Sequence, residues 1–308
     1  METVKIGICE PDDFSGHAVN KLSDRCEVSL YKEGDLKEFI SDKTAIFVRL
    51  KYLITDDLLN QAKNLRYICS PTTGLNHIRL SSDRYEIISL KGEYDFLSSI
   101  RATPEHIFGL SLALLRNYAH AFLNAENTVF DRELYKGYEL YGNSVGIIGM
   151  GRIGRILEKY YHAFGAKVYY CDILHKENVT AEKCDTIEEL IQKSNIIILS
   201  ANYTEKNESM IGEDLFRLMK GKYFINAARG ELVDESALLK YLKMNWFKGA
   251  AVDVIANETE HSEFLDRFLE LTDRNLIITP HIGGATYSSM ERTEEFIADK
   301  LLQKIFAG

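Results

Sequence analysis

The sequence predicts an α/β protein of two lobes, each organised on a largely parallel β-sheet. Three observations carry this. Short apolar runs rich in β-branched and aromatic residues alternate with helix-patterned segments, as expected for parallel strands covered on both faces. The alternation occurs twice, once within the first ninety residues and again from residue 143 onward. A long apolar segment with helical character separates the two series. At 308 residues the chain is also long for a single core.

In the first series, VKIGICE (4–10), EVSLY (27–31), TAIFVRL (44–50), RYICS (66–70) and YEIISL (85–90) read as strands. Helix-spaced segments lie between several of them, such as LITDDLLNQAKNL, where Thr55 is placed to cap. The stretch ATPEHIFGLSLALLRNYAHAF predicts one helix over 102–122, with Thr103 as its N-cap and Pro104 in the first helical position. A helix this apolar should be buried, between domains or between subunits. The second series comprises NSVGIIG (143–149), KVYYCD (167–172), NIIILSA (195–201), KYFINAA (222–228), GAAVDVI (249–255) and NLIITP (275–280). Asp234 should cap ESALLKYL, whose Leu238, Leu239 and Leu242 form one stripe. A last helix is expected over 288–306, with Met290, Thr293, Ile297, Leu301 and Ile305 facing a core.

Composition narrows the partners. The chain is 45% hydrophobic and 27% charged, with a net charge of −9 and no basic block. That balance argues against nucleic acid or an anionic membrane as partner. No run approaches the roughly 18 apolar residues of a membrane span. The N-terminus, METVKIGICEPDD, lacks the basic-then-apolar pattern of a secretion signal. Cys9, Cys26, Cys69, Cys171 and Cys184 follow no metal-ligand spacing, so we expect reduced thiols, a cytoplasmic location and no metal site.

GMGRIG, residues 149–154, has the glycine spacing of a dinucleotide-binding turn. The spacing alone is weak, but the context is what the chemistry requires. An apolar strand leads in and the helical run RILEKYYHAFG leads out. Gly149 permits the tight turn, Gly151 lets backbone approach a pyrophosphate, and Gly154 allows close helix–strand packing. The helix then presents free N–H groups and the positive end of its dipole to the phosphates. Asp172 ends the next strand, 18 residues beyond Gly154, where a carboxylate can bond the ribose hydroxyls and repel a 2′-phosphate. No arginine follows directly in DILHKE, so NAD(H) is favoured over its phosphorylated form.

Ligands in open α/β sheets sit outside the carboxyl ends of the strands. Three residues just past three consecutive strands have complementary chemistry: Arg229 after FINAA, Glu258 in ANETEHSE, and His281 after IITP. A guanidinium can bind a carboxylate and polarise the neighbouring carbonyl. A histidine can move the proton that accompanies hydride transfer. A carboxylate on its other nitrogen fixes the tautomer and keeps it a competent acid. From the residues alone, several carboxylates of ANETEHSE would serve equally well. His281 is set in an irregular turn by Pro280 and the Gly283–Gly284 pair. His17, His77, His106, His120, His162, His175 and His261 lack such a setting and read as surface or packing residues.

The segments VGIIGMGRIGR with Asp172, FINAARGELVDESAL, GAAVDVIANE and TPHIGGAT, in that order, resemble the D-isomer-specific 2-hydroxyacid dehydrogenase family, which includes phosphoglycerate and glycerate dehydrogenases. TTGLNHI (72–78) and TPEHIFGLSLALLRN (103–117) fit family segments too, so the resemblance covers nearly the whole chain. It implies a Rossmann-type NAD-binding domain, residues 102–284, inserted into a flavodoxin-like catalytic domain formed by 1–101 and 285–308. It implies interconversion of a D-2-hydroxyacid and its 2-ketoacid, with Arg229 on the substrate's carboxylate and carbonyl, His281 as acid/base and Glu258 as its partner. Glu258 is chosen over Glu260 because the family's acid lies five residues after the strand-end Asp253. Cofactor contacts would fall on Gly149, Gly151, Arg152, Ile153, Gly154, Asp172, Ala201, Ala227, Ala228, Arg229, Asp253 and Gly283, with Thr103 near the nicotinamide. The backbone at Thr73 and Gly74 would receive the substrate carboxylate, and Arg49 and Lys51 would read the rest of the substrate. The family is usually dimeric, with the helix over 102–122 in the subunit contact.

The chain departs from the family at two places. Thr259 stands where a proline usually follows the catalytic glutamate, and Ser200-Ala201-Asn202 replaces a His-x-Pro turn. Neither change removes a reacting group. Two other readings stay in view: a non-enzymatic NAD-sensing interaction protein of co-repressor type, and a formate-dehydrogenase-like enzyme. The second pairs its histidine with glutamine, so Glu258 speaks against it.

Overall fold

The structure, a computed structural model, describes residues 3–125, 132–258, 263–271 and 274–306. Its internal contacts divide the chain into two units. One runs to Ile100 and resumes at Ala285; the other is Arg101–Gly284.

Besides a separate two-residue parallel pair, Ile54–Thr55 with Ile78–Arg79, the first unit holds five strands, β1 (Lys5–Ile8), β2 (Glu27–Leu30), β3 (Ala45–Phe47), β4 (Tyr67–Ser70) and β5 (Glu86–Ser89). They lie in the order β2-β1-β3-β4-β5 and every pairing is parallel. This is the flavodoxin-like order. The central strands are buried along their length, which is why they read as unbroken apolar runs rather than alternating ones. Helix α1 (Gly16–Ser23) is capped by Ser15, whose Oγ accepts from the Ala18 amide at 3.2 Å. The last long helix, Tyr287–Phe306, belongs to this unit. Its Ile297, Ala298 and Leu301 are fully buried in one core with Ile6, Ile8, Phe47 and Cys69. That helix also buries Glu294 completely, a charge within an otherwise apolar face that the periodicity does not foretell.

The second unit is a seven-stranded sheet of β6 (Ser144–Ile148), β7 (Lys167–Cys171), β8 (Glu182–Lys183), β9 (Ile196–Leu199), β10 (Tyr223–Asn226), β11 (Gly249–Val252) and β12 (Leu276–Ile278). Its order is β8-β7-β6-β9-β10-β11-β12, again all parallel. Counted within the unit this is 3-2-1-4-5-6-7, the doubly wound Rossmann order extended by one strand, so the topological switch point falls between β6 and β9. Ligand-binding crevices of such sheets open there. All eleven strands expected from the sequence are present, each a little shorter than its apolar run; three two-residue strands, β8 and the pair Ile54–Thr55 and Ile78–Arg79, are additional.

The single helix expected over 102–122 is two. Helix α2 (Ala102–Leu115) is followed by a break and a second helix, Tyr118–Ala125. Asn117 sits in the left-handed region, φ +52°, which asparagine tolerates better than most residues. Its Nδ2 donates to the Lys136 carbonyl at 2.9 Å, which fixes the break. Helix α2 also starts two residues earlier than the expected cap implies. Ala102 is its first residue, so Thr103 is not the N-cap, and Arg101 in that position supplies no side-chain cap. Pro104 is tolerated because the first four amides of a helix have no intrahelical acceptor. The buried side of α2, with Ile107, Leu110 and Leu114, packs in one core with Val145, Ile147, Ile225 and Ala251. Thr55 and Asp234 do cap their helices, accepting from the amides of Leu58 (3.3 Å) and Ala237 (3.0 Å).

Candidate active site

The switch point is built from glycine. Gly149, φ +95°, follows β6, and a Cβ added there would lie 2.7 Å from the Cα and the amide nitrogen of Ala201, just past β9. Only glycine lets the two chain exits meet, and this contact falls on the Ser200-Ala201-Asn202 turn. Gly154 is equally confined, its added Cβ falling 2.6 Å from the Gly149 carbonyl oxygen, so helix α3 (Arg152–Ala163) lies directly on the loop. Gly151 faces open space and is the N-cap residue of α3, with no side chain over the first turn. A helix start without a side-chain cap suits an anion, with the helix dipole reinforcing the attraction. Arg152, at the start of that turn, is held below the ordinary arginine range by burial and by the like charge of Arg101. A pyrophosphate fits this combination of bare backbone and crowded cations.

At the end of β7 the Asp172 carboxylate accepts from the amides of Met150 (2.8 Å) and Leu174 (2.9 Å), which ties it to the glycine loop. Lys176, four residues on, pairs with it at 3.2 Å. The acid is thus placed beside the loop, as a ribose contact requires. Nothing local in DILHKE marks Lys176 as the partner of Asp172. Ile153 is half-buried on the core side of α3.

Three adjacent strands, β10, β11 and β12, carry the polar residues at their carboxyl ends. Asn226, the last residue of β10 and 2% exposed, shapes the turn: its Oδ1 accepts from the Ala228 amide (3.0 Å) and its Nδ2 donates to the Arg229 carbonyl (3.0 Å). Ala227 and Ala228 thereby form a small-residue ledge leading to Arg229, whose Nη1 donates to the Ala228 carbonyl at 2.7 Å. Gly230 packs against the segment after β11 so closely that an added Cβ would fall 2.0 Å from the Ile255 carbonyl carbon and 2.1 Å from the Ala256 nitrogen. Glu235, in the first turn of helix α4 (Glu235–Lys243), accepts from the same Ala256 amide at 2.8 Å. Burial, together with the charges of Glu231 and Glu258, raises its carboxyl pKa, against the opposing bond from Ala256. The arginine loop and the glutamate loop are consequently fixed to one another.

Glu258 ends that second loop. Its Oε1 accepts from the Ile255 amide at 3.3 Å and its Oε2 lies 2.5 Å from His281 Nδ1. With Nδ1–H donated to the carboxylate, the ring's Nε2 is the atom left to face a reactant, and it has no hydrogen bond among the described residues. His281 itself has φ +52°, a backbone conformation that costs an L-residue about 1–2 kcal/mol. Such strain persists only where the surroundings enforce it. The carbonyl of Asp253, immediately after β11, accepts from the His281 amide (2.8 Å), and its carboxylate accepts from Ile282 (2.9 Å) and Gly283 (2.9 Å). Gly283 abuts that carboxylate and the Thr103 methyl, leaving no room for a side chain. Thr259 and Glu260 lie outside the described residues.

The first unit holds the other expected contacts. Arg49 turns inward: Nη2 donates to the carbonyls of Glu10 and Asp12, both at 2.6 Å, and Nη1 lies 3.5 Å from Glu294 Oε1. The Arg49 amide donates to Glu10 Oε1 at 2.7 Å and the Lys51 amide to Oε2 at 3.4 Å. The guanidinium is therefore a fixed internal cation, whereas the Lys51 side chain is exposed. Thr73 is exposed in the loop after β4. Gly74 accepts through its carbonyl from Thr72 Oγ1 at 2.8 Å, and Ser70 Oγ bridges Thr72 Oγ1 (2.8 Å) and the Nε2 of the buried His77 (3.2 Å). His77 thus supports the loop from beneath.

Similarity to known proteins identifies the family. Residues 108–283 match the model of the D-isomer specific 2-hydroxyacid dehydrogenase NAD-binding domain. Glyoxylate reductase of Pyrococcus furiosus is 29% identical, the match covering 93% of this chain and 88% of that protein. D-3-phosphoglycerate dehydrogenase of Methanocaldococcus jannaschii is 32% identical over 99% of this chain and 58% of its own length. Among solved structures, D-lactate dehydrogenase of Aquifex aeolicus, complexed with NAD and lactic acid, superposes with a TM-score of 0.82 at 26% identity, covering 98% of this chain and 96% of that one. The chain belongs to the D-isomer-specific 2-hydroxyacid dehydrogenase family. It is an NAD-dependent oxidoreductase of 2-hydroxyacids and 2-ketoacids. The co-repressor reading is not favoured by these relatives.

Proposed function

We propose that the enzyme reduces a small 2-ketoacid to the D-2-hydroxyacid, with His281 as acid/base, Glu258 as its partner and Arg229 as the substrate anchor. The carrying observation is the His281 Nδ1–Glu258 Oε2 contact of 2.5 Å at the carboxyl edge of the second sheet, which leaves Nε2 to the reactant. NADH, when bound, supplies the hydride. Protonated at Nε2, His281 delivers a proton to the substrate carbonyl oxygen, and Glu258 stabilises the imidazolium. Arg229 binds the carboxylate and draws electron density from the adjacent carbonyl. In the reverse direction Nε2 receives the hydroxyl proton. Asp172 holds the adenosine ribose, Gly151 and Arg152 the pyrophosphate, and the backbone at Thr73 and Gly74 the substrate carboxylate. Residues 101–284 act as the cofactor domain and the remainder as the substrate domain.

Purified protein with NADH and a panel of glyoxylate, hydroxypyruvate, pyruvate and larger 2-ketoacids tests this. Glyoxylate or a similarly small ketoacid should give the highest kcat/KM, in keeping with relatives named glyoxylate reductase. No NADH consumption with any ketoacid, and no NADH formation with any D-2-hydroxyacid, would reject the reading.

The enzyme is proposed to act as a homodimer in the cytoplasm. Supporting the dimer, Tyr118, Phe122, Leu123, Leu134, Tyr138 and Tyr141 are exposed apolar residues close together in sequence, an unusual concentration for a free surface. Supporting the location, none of the five thiols is in a disulfide, and no helix among the described residues is long and apolar enough to cross a membrane. Sedimentation equilibrium should give twice the chain mass; a single-chain mass at micromolar concentration overturns the dimer.

A further inference from the structure

We infer that His106 is a positioning residue for His281, acting through the carboxylate of Asp253. The inference rests on the reading of His281 as acid/base and deepens it. Asp253 is 2% exposed and grips the histidine turn by three consecutive amides, those of His281, Ile282 and Gly283. Its Oδ1 also accepts from Thr279 Oγ1 at 2.6 Å and lies 3.2 Å from His106 Nε2. His106 Nε2 is in addition 3.2 Å from Thr279 Oγ1.

The hydrogen inventory fixes the direction of these bonds. The one hydroxyl hydrogen of Thr279 goes to Asp253, so both groups facing His106 Nε2 are acceptors. Nε2 must therefore carry a hydrogen and donate. Burial alone would push the Asp253 carboxyl up, but the bonds from His106, Thr279 and the Gly283 amide overcome it and hold it below the usual carboxylate range. The carboxylate stays an acceptor with both oxygens engaged.

Position in the chain gives the arrangement its meaning. His106 lies on α2, in the first residues of the second unit, and residues 279–283 are among its last. A side chain from the start of the unit thus braces the turn at its end, and the strained residue inside that turn is His281. Glu258 holds the ring at Nδ1 only. The direction of Nε2 is set by the backbone of residue 281, and that backbone is held by Asp253 with His106 behind it. The other groups in this bond set are Thr279 and Asp253; Glu258 reaches His281 from its own loop.

Two variants divide the effect. Asparagine at 106 keeps a polar side chain but does not reach Asp253, whereas glutamine places an amide N–H near the Nε2 position. H106N should lower kcat about 10- to 100-fold, as misplacement of a reacting group by about 1 Å does. The KM for NADH should stay within about threefold, the pH profile of kcat should shift, and the His281 ring signals in the NMR spectrum of the cofactor-free protein should broaden. H106Q should restore kcat and sharpen those signals. Wild-type kcat, pH profile and His281 signals in H106N would overturn the proposal. Should H106N fail to fold, T279V removes the hydroxyl from the same bond set and decides by the same readouts. H281A separates this inference from the reading beneath it. If H281A keeps turnover, the acid/base role fails; if H281A is inactive while H106N is silent, only the positioning role fails.

Discussion

Replacing His281 by alanine lowers kcat about 10²- to 10⁴-fold, the range set by loss of a positioned general acid, while NADH binding stays within a few-fold of wild type. The asymmetry follows from the geometry. On the proposed reading most of the cofactor seat is the glycine loop, α3 and Asp172, and among the described residues none of these hydrogen-bonds His281. On the proposed reading the imidazole gives Nδ1 to Glu258 and Nε2 to the reacting oxygen, so its removal takes the proton donor. Because residue 281 has φ +52°, alanine there also bears backbone strain. H281N separates the two effects, since asparagine enters the left-handed region more readily. Equal losses in H281A and H281N assign the effect to chemistry. Steady-state kinetics with fluorescence titration of NADH checks both, and unaltered turnover in either variant removes His281 from the mechanism.

Lowering the pH from 8 to 5 should stabilise the first unit through Glu294, and E294Q should abolish that gain. Glu294 is fully buried on the last helix. Burial pushes its carboxyl up to about 7, against the bond from the Ser15 amide (2.7 Å) and the attraction of Arg49, while the charges of Glu10 and Glu291 push the same way as burial. Burial likewise raises Glu10, which shares Arg49. In the unfolded chain Glu294 releases its proton near its ordinary value of 4.5. Between that value and about 7 the folded state therefore binds more protons than the unfolded one, so stability falls as pH rises through the window and is flat above it. The contribution lost is about 3 kcal/mol. Chemical denaturation across this range measures it. A wild-type slope reproduced by E294Q would show that Glu294 does not carry the effect.

How much of this was readable beforehand depends on the kind of signal. The strands were legible because both faces of each sheet are covered, which forces continuous apolar runs such as IIIL and YFIN. Arg229 and His281 stand out because each closely follows such a run, whereas Glu258 is singled out among the carboxylates of ANETEHSE only by the family resemblance. The break at Asn117 was not, since its cause is a side-chain bond to Lys136 that no local pattern announces. His106 looked like any residue on a helix face; its partner Thr279 is 173 positions away. Asn226 was hidden as the last letter of a strand. Glu294 stood among the charged residues of TEEFIADK, where nothing local marks it as the buried one. The resemblance implies a substrate contact for Arg49, and its guanidinium is enclosed by carbonyls and carboxylates of its own unit. Local pattern reports backbone periodicity; it does not report which polar groups meet across the fold.

The contact between Gly230 and the Ile255–Ala256 backbone has a consequence for redesign. With 2.0 Å between an imagined Cβ and that backbone, neither loop can shift without the other. Transplanting the arginine segment of a relative with different substrate preference, or altering the length of the glutamate segment alone, would bring the two grafts into collision. Residues 226–235 and 253–258 are best exchanged as one cassette, with any change of specificity directed instead at the separate loop that bears Thr73 and Gly74.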